Sequence, residues 1–233
     1  MNEVEEIAKA IQETARLGEK GLDTAEKAGN FIAKVFKGPI AEISGLITDK
    51  LRFIRWKRMV QMSEEVNQIL ENKGIKETRA VAPKIALPIF EDSSLEDDSN
   101  IQHLWNHLLA NAMNPEFNDE IRYGFIEMIK SITGNEVKLL NDFYLILQND
   151  GRLFPLNKLS QYNLKKEQLI KTLGISADQY VLSVNNLMRM QLIAPAILTG
   201  GIKVGTESIT IYKGMDVITM TPLGVKFVEA CIK

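Results

Sequence analysis

His103 and His107 are the only two histidines among 233 residues. Their four-residue spacing puts both rings on one helix face, as a bound metal would require. The residues between them are Leu104, Trp105 and Asn106, so the glutamate of an HExxH motif is missing. A third ligand would have to come from near Glu96 or Asp98, and two imidazoles are one ligand short of the usual catalytic zinc set. The helical wheel places the pair opposite the stripe Ile101, Leu104, Leu108, facing solvent or a partner. No metal is expected there. The neighbouring acids Glu91, Asp92, Glu96, Asp97 and Asp98 lack the glycine and the twelfth-position glutamate of a calcium loop. They read as helix capping, solubility and counter-charge.

A second candidate is basic and aromatic. Lys50, Arg52, Arg55, Lys57 and Arg58 are interleaved with Phe53 and Trp56, and Asp49 is the one acid beside them. Such a stretch suits a headgroup boundary, a phosphate backbone or a protein partner. The opposing reading buries the aromatics and pairs the five cations with the acids of 91–98 inside the fold. Lys50, Arg52, Arg55, Trp56, Lys57 and Arg58 are therefore the candidate interaction surface, toward a membrane or a partner. The third candidate is the segment 178–190, whose Gln179, Asn185, Asn186 and Arg189 could read base edges, with Lys203 and Lys213 following. It offers one cation against one acid, little for neutralising phosphates.

Enzyme signatures are missing: no phosphate-binding loop with Lys-Ser/Thr, no GxSxG and no dinucleotide GxGxxG. Cys231 lies in an apolar helix near the end of the sequence and reads as a packed residue. The expectation is a non-enzyme with no cofactor.

The elements that must carry these residues are mostly helices. Apolar residues make up 45% and charged residues 25%, the balance of a globular chain, and the net charge of −2 excludes a polycation that coats nucleic acid. Residues 1–120 hold 15 basic and 21 acidic side chains while 121–233 hold 13 and 9, and this shift places a domain boundary between Pro115 and Arg122. The residues 4–36 recur at helical steps but are interrupted by Gly18, Gly21 and Gly29, and Gly38-Pro39 stops them. A long helix is predicted over 40–72, with Ile43, Ile47, Leu51, Ile54, Val66, Ile69 and Leu70 on one side and Lys73-Gly74 as its cap. The apolar segment 82–90 carries Pro83 and Pro88. The clearest helix runs 101–113, capped by Asp98 or Ser99 and ended by Asn114-Pro115.

Beyond it, helices are predicted near 121–132, 136–148 and 165–173. Another starts at the capping-box pattern of Ser176 to Gln179 and carries Leu182, Leu187 and Met190. Strands are predicted at 196–198, 208–212 and 217–220, followed by a helix at 223–232 that starts after Thr221-Pro222. The fold class is mainly α, with a helical N-terminal part (1–120) and a winged-helix-like α+β C-terminal part (121–233). The longest charge-free run, Ser99 to Pro115, spans 17 residues and contains both histidines, so no membrane-spanning helix is expected. Four glutamates in the first 13 residues stand where a secretory signal needs cations and an apolar core, which predicts a cytoplasmic setting.

Several blocks together resemble the bacterial abortive-infection alpha (Abi-alpha) family. They are LRFIRWKRMVQMSEEVNQILENKGI, PKIALPIFEDSSLEDDSNIQHLWNHLLANAMNP and the closing ITMTPLGVKFVEAC. The resemblance runs from about Leu46 to Ile232. It implies defence against phage by halting growth of the infected cell, and it assigns no catalytic residue. The function expected is a non-enzymatic antiphage factor that works through an unknown protein partner, self-association or peripheral contact with the inner membrane. A winged-helix DNA-binding regulator is the alternative.

Overall fold

The computed structural model describes residues 50–151, 155–156, 159, 162–204, 207–212 and 214–233. The helical reading of 4–36 and Lys213 lie outside the described residues, and of Lys50, Arg52, Phe53, Trp56 and Lys203 only the backbone is described. The fold is mainly helical, with a small antiparallel sheet near the C-terminus. It divides into two compact units, the first ending at Lys130 and the second beginning at Ser131.

In the first unit, α1 (Lys50–Asn72) and α2 (Pro83–Ser93) both pack on α3 (Ser99–Met113). The buried line of α1 is Val60, Met62, Ser63, Val66 and Leu70. Ile54, expected on that line, is 38% exposed. At 3.6 residues per turn it lies about 120° from both Val60 and Val66, opposite the centre of the arc these two bound around Ser63. Gly74 takes φ +73° and closes α1, with Ile75 N donating to Leu70 O and Gly74 N to Glu71 O, both at 2.9 Å. This six-to-one and five-to-two pair is the Schellman cap that the Lys73-Gly74 step predicts.

The segment 82–90 is helical. Pro83 sits in the first turn, where its missing N–H is no loss, whereas Pro88 is inside α2 and deletes one ladder bond. Burial of Ala86, Ile89 and Phe90 against α3 offsets that loss. Asp98 caps α3, accepting from Asn100 N at 2.8 Å. Ten of its 15 residues are buried, among them the fully enclosed Leu104, Leu108 and Leu109. Arg79 closes its far end: Nε donates to Ala112 O at 2.9 Å and Nη2 to Phe117 O at 3.3 Å, while the backbone N of Arg79 donates to Met113 O at 2.8 Å. A cation on the terminal carbonyls also suits the negative end of the helix dipole. The helix α4 (Tyr123–Ser131) joins α2 through Lys130 and Asp92, 3.7 Å apart, and through Lys84, 5.6 Å over the Tyr123 ring.

The second unit is built on α5 (Gly134–Asn149), which packs with α6 (Lys166–Leu173), α7 (Ala177–Arg189) and α8 (Pro222–Cys231). Its three-stranded antiparallel sheet has the order β1 (Leu164–Lys165), β5 (Val217–Met220), β2 (Ile193–Pro195), with Leu164 opposite Ile218 and Ile193 opposite Met220. All four residues of β5 are buried. Thr219 is satisfied there by its one hydroxyl proton, with Leu159 O and Tyr162 O both 2.8 Å from Oγ1 as acceptors. Strands β3 (Ile197–Val204) and β4 (Glu207–Tyr212) pair only with each other, and their register shifts between Leu198 and Ile202.

Where the sequence predicts three short strands, five are present among the described residues. The 196–198 stretch opens the separate β3–β4 ladder, and β5 pairs instead with β1 and β2, which are two and three residues long and too short to carry a period-2 pattern. Leu182, expected with Leu187 and Met190 on the apolar side of α7, is 70% exposed, and Tyr180, Val184 and Leu187 form the buried line at four- and three-residue steps.

Candidate interaction surfaces

The basic stretch is divided by the helix it sits on. Successive residues of α1 rotate by about 100°, so five cations within nine residues cannot share one face. Arg55 Nε donates to Ser94 Oγ at 3.0 Å, and Ser94 Oγ donates in turn to Glu91 O at 2.7 Å. Arg58 is half-buried and lines a cavity between α1 and the start of α3. Lys57 is exposed, as is Ile54. Two of the predicted interaction residues are thus turned into their own unit.

Two of the acids expected opposite them, Asp92 and Glu96, have other partners. Asp92 pairs with Lys130, whose ammonium is held more firmly protonated by Asp92 first and Glu127 second. Glu96 Oε1 accepts from the backbone N of Asp97 and of Asp98, each at 2.9 Å, which shapes the turn into α3. Turn-building and capping occupy part of this acidic stretch, because a carboxylate can reach backbone N–H groups one or two residues away without immobilising a long side chain.

The cavity measures about 210 Å³. Arg58, Met62 and Glu65 of α1, Glu96 and Asp97 of the preceding turn, and Gln102 of α3 supply its walls. Behind the wall sits Asn106, fully buried. Its Nδ2 donates to Glu65 Oε2, and its Oδ1 accepts from Gln102 Nε2 at 3.1 Å. This group was not foreseen from the sequence. The signal available was an asparagine inside an otherwise apolar helix, and it points to a polar job only once its neighbours are known.

The rings of His103 and His107 stand 4.2 Å apart, tilted by 58°. Among the described residues no set of three His, Cys, Asp or Glu side chains could hold a metal ion. Cys231 is fully buried, and burial pushes its thiol well above the ordinary range, away from nucleophilic use.

On α7, the capping box closes as the sequence predicts: Gln179 N donates to Ser176 Oγ at 3.2 Å, and Gln179 Oε1 accepts from Ser176 N at 2.9 Å. Gln179 and Asn185 are exposed and flank Leu182. Asn186 is half-buried, and its Nδ2 donates to Ser131 O and to Glu136 Oε2, both at 2.9 Å. Arg189 donates to Asn186 Oδ1 through Nε at 3.2 Å and Nη2 at 2.8 Å. Two of the four base-reading candidates on this helix are therefore occupied in anchoring it. Glu136, 3% exposed, also accepts from Thr133 N at 2.8 Å as the partner residue of its capping box. Tyr180 fixes the other flank, donating to Met215 O at 2.8 Å. Burial, then the charges of Asp216 and Glu167, push its phenol up to about 12.

No described helix is long and apolar enough to cross a membrane. Residues 57–231 match the family model described as abortive infection alpha. No curated protein and no solved structure matches the chain.

Proposed function

We propose, from the premise that the chain belongs to the abortive infection alpha family, that it is a non-enzymatic antiphage factor which acts by docking on another protein. The family match over residues 57–231 carries the defence role. The choice of a protein over a membrane surface is supported by α1, where Arg55 bonds to Ser94 and Arg58 turns into a cavity. An interfacial helix keeps its cations on one solvated face. Lys57 and Ile54 on α1 remain available for docking, as do Gln179, Leu182 and Asn185 on α7. The test is infection of bacteria expressing the chain with a panel of phages. Fewer progeny per infected cell, without rescue of that cell, is the expected result; an undiminished burst across the panel overturns the reading. Flotation with anionic vesicles at low salt separates the membrane version, which predicts co-flotation.

A second reading rests on the second unit. Helix α6, helix α7 and the β3–β4 hairpin follow one another as in a winged helix-turn-helix, and α7 exposes Gln179 and Asn185. That supports a DNA-binding regulator, with Lys203 and Lys213 assigned to phosphates. Weighing against it, Arg189 is bonded to Asn186 and the helix carries Asp178. Salt-dependent duplex binding that disappears in Arg189→Ala with Lys203→Ala is its signature.

A further inference from the structure

We infer that the cavity between α1 and the start of α3 is a binding site for a small dibasic amino acid, one carrying a carboxylate and two cationic groups. Two observations carry this, and neither depends on the other. The first is Arg58. Its guanidinium stays charged at any working pH and offers five N–H donors. It is half-buried, and among the described residues it forms no hydrogen bond or ion pair, although Glu65, Glu96 and Asp97 line the same cavity. Opposite charges are held across a gap without closing on each other, which leaves room for a ligand bearing both signs.

The second is Asn106. A fully buried asparagine in a helix core is unfavourable unless its amide is satisfied. Both ends of this amide are directed to cavity-lining groups, the Glu65 carboxylate and the Gln102 amide. The core thus holds two walls of the cavity in fixed orientation, as a preorganised site requires. The Glu96 carboxylate is likewise fixed through one oxygen by two backbone N–H groups.

Size and charge narrow the ligand. A volume of about 210 Å³ corresponds to roughly seven waters at about 30 Å³ each, which is amino-acid scale and below that of drug-sized pockets. The lining carries one cation and three carboxylates, so a ligand with a net positive charge is favoured over a neutral zwitterion or a dicarboxylate. Arg58 takes the ligand's carboxylate by a two-pronged bond, and Glu65, Glu96 and Asp97 take its amine and its guanidinium or ammonium.

The test is isothermal titration of the full chain with L-arginine, L-lysine, L-glutamate and agmatine, the last keeping the guanidinium but lacking the carboxylate, all at matched ionic strength. Saturable binding of arginine or lysine is expected, with agmatine and glutamate at least about tenfold weaker. Arg58→Ala and, separately, Glu96→Gln each weaken binding by about tenfold or more, and Lys57→Ala, an exposed neighbour, leaves it unchanged. Glu96→Gln keeps the oxygen that accepts from the turn, so its circular dichroism stays that of the parent and guards against a folding artefact. Absence of saturable binding by both basic amino acids overturns the proposal. So does agmatine binding as tightly as arginine, or indifference to both Arg58→Ala and Glu96→Gln.

Discussion

Gly224, in the first turn of α8, is the position where adding a single carbon has the most definite expected outcome. A Cβ built there falls 2.0 Å from Leu192 O, 3.0 Å from the Leu192 carbonyl carbon and 3.1 Å from Met220 Cγ. The carbonyl cannot simply retreat, because it also accepts from Thr221 N at 3.1 Å, and this bond fixes the start of α8. Relieving the overlap displaces backbone, at about 1–3 kcal/mol for overpacking. Breaking the Thr221 bond adds about 1 kcal/mol. Gly224→Ala is therefore expected to destabilise the second unit by about 3 kcal/mol. The sign is the decisive part, since the same change at an open helical site stabilises by about 0.4–1 kcal/mol. Urea unfolding followed by far-ultraviolet circular dichroism reads the effect as a drop in midpoint of about 1 M or more, at slopes of about 1–3 kcal/mol per M. Both tryptophans, Trp56 and Trp105, belong to the first unit, so fluorescence follows that unit separately. A midpoint equal to or above the parent's refutes the close approach of α8 to Leu192.

Three other outcomes follow from described geometry. Gln191 closes α7 with φ +59°, a conformation unfavourable for any side chain, so Gln191→Gly should raise stability by about 0.5–1 kcal/mol in the same titration. Asn186→Ala leaves Glu136 and the Ser131 carbonyl short of a donor, and thermal unfolding should show a loss of about 1–3 kcal/mol. Tyr180 keeps its proton up to about 12 when folded against about 10 when unfolded. The unfolded chain therefore releases that proton first, and stability falls as pH climbs through this window. Tyr180→Phe should flatten the fall seen in unfolding curves at pH 10 and above.

Helices were legible because their signals are local. The cap at Gly74, the box at Ser176 and the apolar stripe of α3 are set by residues within a turn or two of each other. The strands β1 and β2 were not, since pairing with β5 is fixed by residues more than 20 positions away and each strand is too short for a pattern. The same reason explains the cavity. Arg58 and Gln102 are 44 positions apart, and nothing near either residue announces the other. Charge composition was a coarse guide: it placed the acids of 91–98 beside the cations of 50–58, and the fold sets Arg58 in one cavity with Glu96 and Asp97 while giving Asp92 to Lys130 and Glu96 Oε1 to its own turn. The exposed Leu182 shows the limit of periodicity, because the Tyr180, Val184, Leu187 line already fills the available space under α7.

Arg79 joins two parts of the first unit that lie more than 30 residues apart, holding the carbonyls of Ala112, Met113 and Phe117 with one residue. The exposed stretch just after Phe117 hangs from this knot. A protease nick in that stretch would sever the covalent chain yet leave the upstream end tethered at Phe117, while α4 beyond the cut is still held to α2 by Lys130 on Asp92 and Lys84 on Tyr123, so limited digestion should yield fragments that still travel together.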